Sequence, residues 1–127
     1  MDIQSLPGLR VDCQLFAGAL PSRTTAVYFL RSDKHGLLYI GRASDLCKRW
    51  TGGISHHCLE NCLKLGDVTL HWMIVSRDML AATEKSLILE HRPPWNQETK
   101  RPKGPWTQLE IDCGQAGADI FRKVRMW

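Results

Sequence analysis

The apolar and polar positions of the chain alternate between strand-like and helical patterns. Residues 26 to 32 (AVYFLRS) are a β-rich run, DKHG supplies turn residues at 33 to 36, and LLYIGRA follows at 37 to 43, so two strands in a hairpin are predicted. Ser44 is placed to cap a short helix running to Trp50, which Gly52-Gly53 breaks. A second helix over about residues 56 to 64 would end at Gly66, where a glycine suits a helix C-terminus. In DVTLHWMIVS, residues 67 to 76, Val68, Leu70, Trp72 and Ile74 alternate with Thr69, His71, Met73 and Val75. That period of two predicts a third strand with one well-buried face. Ser76 offers an N-cap for a helix from about Arg77 to His91, and the Pro93-Pro94 pair cannot continue it.

The flanks are less patterned. Residues 1 to 25 scatter Pro7, Gly8, Gly18, Pro21 and Ser22 among apolar positions and read as an irregular lead-in with at most one short element. The tail from residue 97 opens with the basic stretch QETKRPKGP and closes with ADIFRKVRMW. The expected organisation is therefore a lead-in over 1–25, a core over 26–96 and a basic extension over 97–127 packed on the same domain. The expected fold class is α/β of the α+β kind, a small three-stranded antiparallel sheet flanked by helices.

At 127 residues, 43% apolar and 24% charged, the chain has the size and composition of one globular domain, not of a disordered segment. Five cysteines, an odd number without regular spacing, argue against a disulfide framework and for free thiols in a reducing setting inside a cell, cytoplasmic or nucleoid or nuclear. No apolar run is long enough for a membrane helix, and MDIQSLPGLR has no secretory pattern, so no membrane partner is expected. The net charge of +4 is compatible with a polyanionic partner.

On the helix after Ser76, residues 80, 84, 87 and 88 fall on one side at about 100° per residue, which sets Glu84 among Leu80, Leu87 and Ile88. A carboxylate there needs a cation, a salt-bridge partner or the edge of the stripe. An internal ion pair with an arginine and a metal-binding or catalytic role both satisfy that requirement. The chain's two tyrosines, Tyr28 and Tyr39, stand on the two hairpin strands, and Arg49 stands on the helix after them. Packing would explain the tyrosines, and solvation of a helix face would explain the arginine.

Taken together these residues resemble the GIY-YIG nuclease family. Ala26-Val27-Tyr28, ten residues, and Tyr39-Ile40-Gly41 match its paired motif, the second half literally; Arg42-Ala43-Ser44-Asp45-Leu46 with Arg49 matches its continuation. Glu84 lies where the family has its metal-binding glutamate, and Asn96 ends Arg92-Pro93-Pro94-Trp95-Asn96 where the family tends to have an asparagine. The similarity spans residues 26 to 96. Ala26 and Val27 replace the glycine and isoleucine of the first half. Gly53 stands where many members carry a histidine or tyrosine, with His56 and His57 arriving later.

The resemblance implies a metal-dependent endonuclease acting on DNA, with RNA also open as substrate. Glu84 would hold one Mg²⁺ (or Mn²⁺), an ion suited to a single carboxylate and several waters. Arg49 would pin and polarise the phosphate. Tyr28 would orient or deprotonate the attacking water, Tyr39 would hydrogen-bond the phosphate or the water, and His56 or His57 would be the alternative base. Gly41, Arg42, Lys48 and Asn96 would contact or brace the substrate. Two competing readings stand beside this one. Cys58, Cys62, His56, His57 and His71 can be drawn as a zinc site, although Cys58-x-x-x-Cys62 lacks a second pair at knuckle or ribbon spacing. A nucleic-acid-binding domain that does not cut, or that depends on a protein partner for targeting, would keep the same residues; the basic Lys100-Arg101-Pro102-Lys103 and Arg122-Lys123-Val124-Arg125 are its candidate backbone contacts.

Overall fold

The computed structural model describes residues 2–12, 14–51, 57–96 and 108–113, with backbone alone at 14–16, 57–58 and 110. Four strands form one antiparallel sheet: β1 (Gly8–Arg10), β2 (Ala26–Ser32), β3 (Gly36–Ala43) and β4 (Val68–Ile74), in the spatial order β1-β4-β2-β3. The helices among the described residues are α1 (Leu46–Thr51), α2 (His57–Leu65), α3 (Arg77–His91) and the short α4 (Gln108–Asp112), with 3₁₀ turns at Ile3–Ser5, Gln14–Ala19 and Pro94–Asn96. The α+β class is as expected, but the sheet has a fourth strand. β1 comes from the supposedly irregular lead-in and pairs Gly8, Leu9 and Arg10 with His71, Leu70 and Thr69 of β4.

The β2–β3 hairpin closes through its turn chemistry. Ser32 Oγ accepts from the Lys34 and His35 amides at 3.2 and 3.0 Å, and its hydroxyl is held by the Asp67 carboxylate at 2.9 Å. Gly36 then takes φ +75°, a left-handed conformation that glycine adopts without strain. Further along, Leu30 faces Tyr39 but Arg31 faces Leu37, so Leu38 is an extra residue in β3. Such a bulge turns consecutive side chains to one side. Leu38 and Tyr39 accordingly both join the cluster on one face of the sheet.

β2 runs through the middle of the core, and its first five residues are all buried. Tyr28 and Leu30 pack on one face with Leu46, Trp50, Cys62, Leu70 and Trp95, under α1 and α2; Val27 and Phe29 pack on the other with Ile40 and Leu80, under α3. Both faces being covered explains why AVYFL reads as a continuous apolar run. It also breaks the expected alternation in β4. His71 is buried and Met73 joins the second cluster, whereas Ile74, assigned to the buried face, is 74% exposed. His71 Nε2 accepts from Arg31 Nε at 3.3 Å, and its Nδ1 faces the Leu6 carbonyl at 3.3 Å, which ties the lead-in to the sheet. A Cβ at Gly8 would come within 2.7 Å of that Nδ1.

The helix α3 has the bounds its sequence predicts. It ends with Arg92 at φ 46°, whose amide donates to the Ile88 carbonyl before the proline pair begins. Ser76 precedes it without a side-chain capping bond. At α1 the cap is Asp45, not Ser44: Asp45 Oδ1 accepts from the Lys48 amide at 3.1 Å. No helix among the described residues is long and apolar enough to cross a membrane. Gly53 and the basic tail segments at 100–103 and 122–125 lie outside the described residues.

Candidate active site

β3 is the last strand of the sheet, so no further strand pairs with its outer edge. The chain after α3 returns to that edge. In the turn Pro94–Asn96, Asn96 Oδ1 accepts from the Ile40 amide at 2.8 Å and Asn96 Nδ2 donates to the Ile40 carbonyl at 2.9 Å. One side-chain amide thus supplies the donor and acceptor that a neighbouring strand would offer. Both bonds of Asn96 go to β3 itself, directly beside Tyr39 and Gly41.

Around this edge lies a cleft of about 590 Å³, lined by Tyr28, Tyr39, Arg42, Lys48, Arg49 and Glu84 with Ala43, Ser44, Asp45, Ile88 and Asn96. Arg49 and Lys48 come from α1 on one side of the sheet, and Glu84 comes from α3 on the other. Of the expected site residues, Tyr28, Tyr39, Arg42, Lys48, Arg49, Glu84 and Asn96 are therefore brought together from segments up to Asn96. His56 lies outside the described residues, and His57 is described only as the backbone start of α2.

Gly41 leaves the space that the Tyr28 ring fills. It is the cross-strand partner of Tyr28, and a Cβ built on it would collide with the Tyr28 ring carbon Cζ and the hydroxyl. The phenol therefore lies over the glycine, wholly buried, with Trp50 edge-on at 5.6 Å and Tyr39 tilted at 6.2 Å between ring centroids. Tyr28 forms the floor of the cleft, and Tyr39 stands nearer its surface at 9% exposure.

Glu84 sits on the apolar stripe of α3 as expected, between the buried Leu80 and the partly buried Leu87 and Ile88. Burial pushes its pKa above the ordinary carboxylate value, while the charges of Arg42 and Arg49 pull the other way. Arg42 Nε stands 3.8 Å from Glu84 Oε1, beyond hydrogen-bond length, so this ion pair is loose. A half-buried carboxylate with a distant cation retains capacity for a further positive charge. A divalent ion held through one carboxylate, waters and a phosphate oxygen fits that donor set. No group of three or more His, Cys, Asp or Glu side chains stands together among the described residues; of the zinc candidates, His56 lies outside them and His57 and Cys58 are described by backbone alone. Cys62 is fully buried in the core, and burial pushes its thiol pKa up.

Asp45 and Ile88 line the cleft, although their sequence positions assigned them only a place in the motif and on the apolar stripe, not a site role. The spacing of Asp45 three before Lys48 was the available signal, since that is the separation of a capping carboxylate from the amide it receives. No family model, curated protein or solved structure matches the chain.

Proposed function

We propose that this protein is a divalent-metal-dependent endonuclease of the GIY-YIG type that hydrolyses phosphodiester bonds in DNA. The observation that carries the proposal is the convergence of two tyrosines, three cationic side chains and one destabilised carboxylate on a single cleft at the edge of β3. Arg42, Lys48 and Arg49 outnumber Asp45 and Glu84 there, which suits an anionic phosphate. Arg49 binds and polarises the phosphate as a planar fork, offsetting the charge that builds up on attack. Tyr39 donates its hydroxyl to the phosphate or to the attacking water, and Tyr28 beneath it orients that water. Glu84 holds the metal ion, Mg²⁺ or Mn²⁺, which supplies Lewis-acid polarisation when bound. The free thiols Cys47, Cys62 and Cys113 suit a reducing, cytoplasmic setting.

A second reading, a domain that binds nucleic acid without cutting it or that cuts only with a protein partner, is favoured by the position of Arg42. Its guanidinium, 3.8 Å from Glu84 Oε1, already offers that carboxylate a cation, if a loosely held one. One experiment separates the two. Purified protein is incubated with plasmid, branched and single-stranded DNA in Mg²⁺, Mn²⁺ or EDTA, and binding is followed in parallel. Metal-dependent cleavage that survives a zinc-selective chelator supports the endonuclease. Salt-sensitive binding without cleavage under any condition supports the second reading.

A further inference from the structure

A second, smaller groove of about 370 Å³ adjoins the cleft and shares Arg42, Glu84 and Ile88 with it. Its remaining walls are Ala81, Lys85 and Leu89 of α3. Leu89 is 57% exposed although it is a large apolar residue, and Ala81 is exposed as well. The groove therefore combines an apolar floor with two cationic side chains, Arg42 and Lys85, and the single carboxylate of Glu84, so its lining is net positive. A purely apolar ligand would leave those charges unused, and a bare phosphate would leave the floor uncovered. A flat aromatic ring attached to an anionic backbone satisfies both, with the half-exposed Arg42 guanidinium available to stack on it.

Resting on the reading of the neighbouring cleft as a phosphodiester site, we propose that this groove seats the nucleobase next to the bound phosphate. A base lying against Ile88 and Leu89 has left its pair, so the preferred target carries an unpaired nucleotide beside the scissile bond. Sequence preference at that position is weak, because stacking and apolar contact accept any base.

The test uses fluorescein-labelled single-stranded oligothymidylate and the same strand with its internal nucleotides made abasic. Affinity is measured by anisotropy in EDTA, so that no cutting occurs. The intact strand should bind about tenfold more tightly than the abasic one, the scale of a stacked base. Leu89→Ala, which removes a wall, and Ala81→Trp, which fills the groove, should each narrow that gap at least threefold while leaving the abasic Kd unchanged. Both positions are exposed, and unchanged circular dichroism verifies folding. Equal affinity of wild-type protein for the two strands, or a gap unaltered in both variants, overturns the groove assignment. Cleavage of the intact strand by wild-type protein in Mg²⁺ is scored separately: cutting with an unaltered gap sinks the groove alone, and neither binding nor cutting sinks the phosphodiester reading with it.

Discussion

Tyr28 and Gly41 face each other across the β2–β3 ladder, and the phenol occupies the space that any side chain at position 41 would need. Replacing Gly41 by alanine would force either the ring or the strand to move. Overpacking of this kind costs about 1–3 kcal/mol, which urea unfolding of Gly41→Ala should show. The same substitution made in a Tyr28→Ala background should cost much less, because the obstructing ring is gone. An equal penalty in both backgrounds would place the strain elsewhere.

Asn96 is expected to act on stability before it acts on chemistry. Asn96→Ala removes both hydrogen bonds to Ile40 and should lower stability by about 1–3 kcal/mol. The Ile40 amide should lose protection in hydrogen exchange while amides in the middle of β2 keep theirs. Asn96→Asp retains the acceptor but turns a carboxylate oxygen toward the Ile40 carbonyl. Repulsion disfavours its charged form, so this variant should recover stability as pH falls below the carboxylate range.

Glu84 gives a pH signature of the opposite kind from an ordinary salt-bridged acid. Its folded pKa is raised above the unfolded value, so ionisation penalises the fold above that range and the penalty disappears as pH falls below it. Glu84→Gln should therefore match or exceed wild-type stability at pH 7, by under about 1 kcal/mol after screening, with the difference vanishing near pH 4. Cleavage by the same variant should be abolished. Unfolding at pH 7 would mean that the loose pair with Arg42 matters more than the burial.

Tyr28→Phe and Tyr39→Phe each remove one hydroxyl and keep the ring packing with Trp50 and with each other. Single-turnover cleavage should slow by about 10²- to 10⁴-fold in the variant that loses the group handling the water. His56→Ala and His57→Ala are the comparison: a histidine base would show the same loss and a rise in rate across about pH 6 to 7. Wild-type rates for both tyrosine variants would end the tyrosine mechanism and leave the fold untouched.

The elements that were legible in the sequence are those whose signals are local. The hairpin follows from two β-rich runs around DKHG, and α3 ends where Arg92 precedes two prolines. Glu84 was visible because a carboxylate on an apolar stripe breaks a short-range pattern. What escaped depends on partners distant in sequence. Three residues, Gly8–Arg10, carry no periodicity of their own and become a strand only against β4. The burial of His71 needs Arg31 and Leu6 around it, and the placing of Leu38 and Tyr39 on one face needs a bulge that alternation does not announce. Gly41 was legible as a glycine, but its purpose lies in a ring thirteen positions earlier.

The bond pair from Asn96 to Ile40 also bears on how the protein behaves in concentrated solution. A bare outermost strand invites other chains to extend the sheet, a common route to aggregates and fibrils. Here the backbone groups of Ile40 are already taken by a side chain that offers no further strand behind it. Propagation by continued sheet pairing is interrupted at that residue, and the opposite border is only the three residues of β1. The fold can thus leave a cleft at its rim without leaving the backbone of Ile40 there free to pair.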